Sequence, residues 1–178
     1  MASEQTEEHP AFHEVDPTKV GRVATRVRLR SIRLVQANAL FKADPKMLDP
    51  GWGERVQGTF DAGVEVREDD HFEVIAFFTI KYWADRDGSQ IESAEDEFGD
   101  IEVEAAFKLS YELVDPQGVS DDDLKHFAVY NATFNAWPYW REYAQSTTQR
   151  FGVPTLLIPL FVFPGPGTPK ARHDETSP

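Results

Sequence analysis

Glu102 and Glu104 stand two residues apart in an alternating run, so their carboxylates share one strand face, as the acid pair of a glycosidase might. Nothing about their neighbours marks them out from other solvated acids. The Asp85-Arg86-Asp87-Gly88 turn has a faint likeness to a calcium loop, but the ligand spacing of an EF-hand is missing, so no metal site is assigned. Of the five histidines, His9, His13 and His173 fall in expected tails, and His126 lies beside an apolar helix face. The chain has no cysteine, which excludes disulfides, thiol nucleophiles and thiolate metal sites. It also lacks a Gly-rich phosphate loop and a nucleophile elbow. No catalytic residue, metal or cofactor is assigned. What remains is binding.

The residues suited to binding are aromatic. Ala136 to Tyr143 reads Ala-Trp-Pro-Tyr-Trp-Arg-Glu-Tyr, an aromatic excess at the expected start of a helix. Helical spacing puts Trp137 and Trp140 on roughly one side, with Tyr143 close by and Tyr139 turned away. Such a cluster fills a core, faces another subunit, or binds apolar partners. A second cluster is basic: Arg22, Arg26, Arg28, Arg30 and Arg33. With no aromatics between them to stack on bases, they read as a solvated face paired with this chain's own carboxylates. A net charge of −13 also argues against nucleic acid.

The elements that must position these residues follow from periodicity. The chain has 178 residues, 40% of them hydrophobic, which suits one domain with a core. No apolar run reaches the roughly 18–20 residues of a membrane span. The acidic N-terminus has no signal-peptide core, so a cytoplasmic location is expected. Residues 1–17 read as a flexible acidic tail and 164–178 as a flexible Pro/Gly-rich one, with the folded domain at 18–163.

Four strands are expected. The first, Val20 to Phe41, slips phase twice: Val23, Val27 and Leu29 share one parity, Ile32 and Leu34 the other, and Val35, Ala37, Ala39 and Phe41 the first again. Slips of this kind imply bulges. Val56 to Val66 and His71 to Ala84 alternate around the polar turn Arg67–Asp70, as a hairpin does. The third strand is apolar on both faces near its centre, as if a second subunit covered it. Ile101 to Val114 is the fourth, after an acidic loop at 85–100. Ser120 then caps a helix that carries Leu124, Phe127 and Phe134. A second helix is expected to begin near Pro138 and to stop before Gly152.

Trp137-Pro138-Tyr139-Trp140-Arg141-Glu142, then Val153-Pro154-Thr155-Leu156 and Pro159, resembles the helix region of the SecB export chaperones. Trp52, Val56, Phe60 and Asp61 upstream, with Asp69 to Val74, fit that family's strands in order. The similarity runs over roughly residues 23–163. It implies an α+β fold: a four-stranded antiparallel sheet followed by two main helices on one face, with protomers assembling as a dimer of dimers. It implies an ATP-independent holdase that keeps unfolded polypeptides soluble and export-competent in apolar grooves. The groove residues it suggests are Trp52, Val56, Phe60, Val64, Phe134, Trp137, Trp140, Tyr143, Leu156 and Leu157. The implied partners are unfolded preproteins and the SecA motor, for which only Glu102 and Glu104 remain as docking acids. The long N-terminal segment, acidic loop and altered tail resemble the SecB-like chaperones of toxin–antitoxin systems, whose client is an antitoxin. A small-molecule or lipid carrier, with a pocket between sheet and helix, is the alternative.

Overall fold

The computed structural model describes residues 10–42, 55–68, 70–83, 101–152 and Ile158. Trp52, Leu156, Leu157, the acidic loop and the Pro/Gly-rich tail lie outside them.

Four antiparallel strands form one sheet: β1 (Val27–Phe41), β2 (Arg55–Arg67), β3 (His71–Trp83) and β4 (Ile101–Leu113), in the order β1-β4-β3-β2. The β2–β3 connection is the hairpin that the polar turn predicts; the Glu68 N–H donates to the His71 carbonyl at 2.7 Å. The register of β1 on β4 shifts between Leu29 and Ser31 and again between Leu34 and Gln36. These are the two phase slips of the sequence. Each extra residue resets the alternation, so that Leu29, Ile32, Leu34 and Ala37 all oppose core residues of β4.

The first strand starts later than expected. Pro17–Ala24 is a helix, α1, and not strand. Asp16 caps it by accepting from the Thr18 N–H at 2.8 Å, and Pro17 takes the first turn, where a missing N–H costs nothing. Val20 and Val23, three apart, are its buried residues, which is helical and not alternating spacing.

The helical part is also arranged differently. Helix α2 (Asp121–Phe127) runs through a π-helical segment, Ala128–Ala132, into α3 (Thr133–Arg150). Pro138 therefore lies inside α3 and does not begin a helix. The helix ends as the sequence suggests: Gly152 takes a φ of 73°, the left-handed conformation that favours glycine after a last turn. Ser120 and Asp123 make a reciprocal capping box at the start of α2.

The core lies between one face of the sheet and this helical run. Phe72, Val74, Ala76, Phe78 and Ile80 of β3 and the odd-numbered residues of β4 from Ile101 to Leu113 meet Leu124, Phe127, Ala132, Ala136, Trp140 and Ala144. Small residues at 128, 132, 136 and 144, all fully buried, let the helices approach the large sheet side chains. Among the described residues no helix lies on the opposite sheet face, and Phe77 there is 48% exposed.

Candidate functional site

The side chains flanking α3 form a row of aromatic rings. Phe60 on β2 meets Trp137 edge-on at 6.3 Å; Trp137 meets Phe78 at 5.8 Å; Phe78 stacks on Trp140 at 5.5 Å; and Trp140 lies 6.2 Å from Tyr143. Edge-on and stacked pairs at these separations are favourable beyond the area they bury. Phe60, Val64, Trp137 and Tyr143 are partly buried hydrophobics packed against the core. Each keeps one side on the core and another toward solvent. The β2 alternation puts Phe60 and Val64 on the helix-covered face, opposite Phe78 and Val74.

Not every expected groove residue belongs to this rim. Trp140 is 2% exposed and is a core residue. Phe134 is exposed. Val56, opposite Tyr82 in the β2–β3 ladder, has the same strand parity as Phe60. The sequence reading also missed exposed apolar residues on the other side of α3. Tyr139 is 50% exposed and tilts toward Phe107 at 6.5 Å, while Leu29, Leu34 and Val35 on β1 are similarly open. Their signal was present: Leu29 and Leu34 have core parity, but among the described strands β1 lies at the sheet edge and these side chains stay open. Phe12 and Tyr130 were missed as well. Phe12 forms part of a 3-10 turn, Phe12–Glu14, within the segment read as a tail.

The polar groups divide into a clasp and a sheet face. In the clasp, α1 lies on α2. Lys19 reaches Asp122, Arg22 reaches Asp123 at 2.6 Å, and the Asp16 N–H donates to His126 Nδ1 at 3.0 Å. His126 is thus a buried anchor for the N-terminal segment. Burial alone would raise the Asp123 carboxyl, but the Ser120 hydroxyl and N–H and the Arg22 guanidinium outweigh it and hold it below the usual aspartate range. The hydrogen bond to Asp122 holds the Lys19 ammonium above the ordinary lysine value.

On the open sheet face, Lys108 bridges Glu65 at 2.5 Å and Glu73 at 3.1 Å, and Ser110 donates to Glu73 at 3.1 Å. The hydrogen bond from Lys108 does most to keep Glu73 below the usual glutamate range. Arg30 pairs with Glu112 and Arg33 with Glu73, so these arginines face carboxylates, as the charge pattern implied. Glu102 and Glu104 share this face. Glu102 is buried and pairs with Lys81 at 3.1 Å; Glu104 accepts from the Asn38 amide at 3.3 Å. Among the described residues no helix is long and apolar enough to cross a membrane.

No protein-family model matches the chain. It is 27% identical over 175 residues to the SecB-like chaperone Rv1957 of Mycobacterium tuberculosis strain H37Rv, an alignment covering 92% of this chain and 93% of that protein. The SecB-like chaperone MT2006 of strain CDC 1551 matches at 27% over 177 residues with the same coverage. The fold matches the solved structure of Rv1957 in complex with a ChAD peptide from the Rv1956 HigA1 antitoxin, with a TM-score of 0.62 and 19% identity over 82% of this chain and 94% of that one. Nearly the whole sequence and most of the fold thus align with the same protein: the chain is similar to the SecB-like chaperones.

Proposed function

We propose that this protein is an ATP-independent holdase that binds unfolded polypeptide along the rim formed by Phe60, Val64, Trp137 and Tyr143. The observation that carries the reading is the half-buried state of this row. Rings fixed on their inner side by the core offer a broad apolar surface at little entropic cost, which suits clients of scattered apolar sequence. Arg141 Nε donates to the Ile158 carbonyl at 2.8 Å, so Ile158, beyond the end of α3, is tied to that helix; Trp52, Leu156 and Leu157 are proposed to extend the surface. A net charge of −13 keeps a sticky surface soluble.

The natural client in this reading is an antitoxin, because the matched chaperone is solved with an antitoxin peptide. The state of Glu102 and Glu104, each already partnered within the chain, weighs against direct SecA docking. Phe77 on the open sheet face, and Leu29, Leu34 and Tyr139 beside β1, provide apolar area for assembly into a cytoplasmic dimer of dimers. A carrier would hold its ligand between sheet and helix, and that space is filled by Phe72, Phe78, Phe127 and Trp140.

The test is suppression of aggregation of a chemically denatured model protein without nucleotide. Wild type is expected to suppress it near one assembly per client. No suppression at a several-fold excess would refute the proposal.

A further inference from the structure

Phe12 belongs to no strand and to no long helix, yet its ring closes the outer end of the aromatic row. It meets Phe60 edge-on at 5.3 Å and lies nearly parallel to Tyr130 at 5.8 Å. Its own turn is slight: the Glu14 N–H donates to the Ala11 carbonyl at 2.8 Å, and the Ala11 N–H donates to the Glu14 carboxylate at 3.1 Å. Downstream of it is an anchor, where the Asp16 N–H meets His126 and the α1–α2 clasp follows. Phe12 is therefore a half-buried ring on a tether of three residues, 13 to 15.

We infer that Phe60 and Tyr130 form a receptor for one aromatic side chain of an unfolded polypeptide, and that Phe12 is its intramolecular occupant, which a client must displace. This rests on reading the row as the client surface. A ring meant only for the core would come from an element that fixes it on several sides. Here a short tether delivers it to Phe60, itself one of the rim residues. A tethered ligand acts at an effective concentration on the order of millimolar. It lowers the fraction of protein ready for a client and raises the apparent Kd by the same factor. The receptor selects segments that present Phe, Tyr or Trp, and it spares the surface from weak apolar sequence.

The experiment measures binding of labelled, reduced and carboxymethylated α-lactalbumin, a permanently unfolded probe, by fluorescence anisotropy. Phe12→Ala is expected to lower Kd about three- to tenfold. Asp122→Asn, which loosens the clasp without touching the receptor, is expected to shift Kd the same way by a smaller factor. Adding Tyr130→Ala to Phe12→Ala is expected to remove the gain. Wild-type binding with an unchanged or higher Kd in Phe12→Ala overturns the occlusion and leaves the holdase reading standing. If Phe12→Ala does not fold, an unchanged Kd in Asp122→Asn overturns it. Absence of binding by every variant overturns both.

Discussion

Trp137 and Trp140 are three residues apart on one helix and have different surroundings. Trp140 is closed in by Phe78 and Tyr143, whereas Trp137 reaches outward to Phe60. Their substitutions should separate. Trp140→Ala removes a fully buried ring and is expected to cost about 3–5 kcal/mol of stability, read as a lowered denaturant midpoint. Trp137→Ala is expected to weaken capture of an unfolded probe about tenfold, or ~1.4 kcal/mol, with a much smaller change in the midpoint. Equal loss of stability in both would make Trp137 a core residue. Asp123 is a second discriminating residue. Its carboxylate serves the Ser120 N–H, the Ser120 hydroxyl and Arg22 at once. Asp123→Ala is expected to destabilise the fold by roughly 2–3 kcal/mol, because a buried charged hydrogen-bond network loses its acceptor. Thermal unfolding of the variant checks this.

Among the elements, α1 is held by the burial of Val20 and Val23 and by its ion pairs to α2, and the charged part of that attachment should follow pH. Asp123 and Asp122 are both depressed in the folded state. Their contribution is present above the ordinary aspartate value of 3.8 and is lost as pH falls below it. Lys19 is raised, so its contribution is present below the ordinary lysine value of 10.5 and is lost as pH rises beyond it. The clasp is expected to hold between these limits. Amide exchange of α1 should accelerate ahead of β3 and β4 at either edge; uniform exchange of all elements would contradict this. The same element shows where sequence reading falls short. Parity slips in β1 are a local signal and gave both bulges. Val20 and Val23 alone are too short a run to declare a helix, although their spacing is helical, and Asp16-Pro17 was the overlooked capping signal. Pro138 misled for the opposite reason: its helix-start preference is local, but the π segment before it carries the helix on from α2. Depth was the least legible property. Periodicity put Trp137 and Trp140 on one side; only packing against β2 and β3 separates rim from core.

At the scale of the whole molecule, one helix-covered face and one open face leave apolar area on both sides of the sheet. Phe77 lies on the open face, and Leu34 on the covered face beside β1. Light scattering is expected to give about four times the protomer mass under the dimer-of-dimers proposal. Leu34→Asp, on an exposed site with little effect on the protomer core, is expected to reduce that mass if β1 is a subunit contact. An unchanged mass would remove β1 from the interface. The strand order has a further consequence, for the chain's own birth. Among the described strands β1 pairs with β4 alone: Val27 lies opposite Leu113, and Phe41 opposite Ile101. Asp16 likewise waits for His126, 110 residues further on. Contacts of such sequence separation form slowly, because the intervening loop must close before they are rewarded. While the protein is being synthesised, β1 stays without its β4 partner until β4 has left the ribosome. Under the holdase proposal, a chain that shelters unfolded polypeptides spends much of its own synthesis as one, and slow, stepwise closure around β4 should set the pace of its folding.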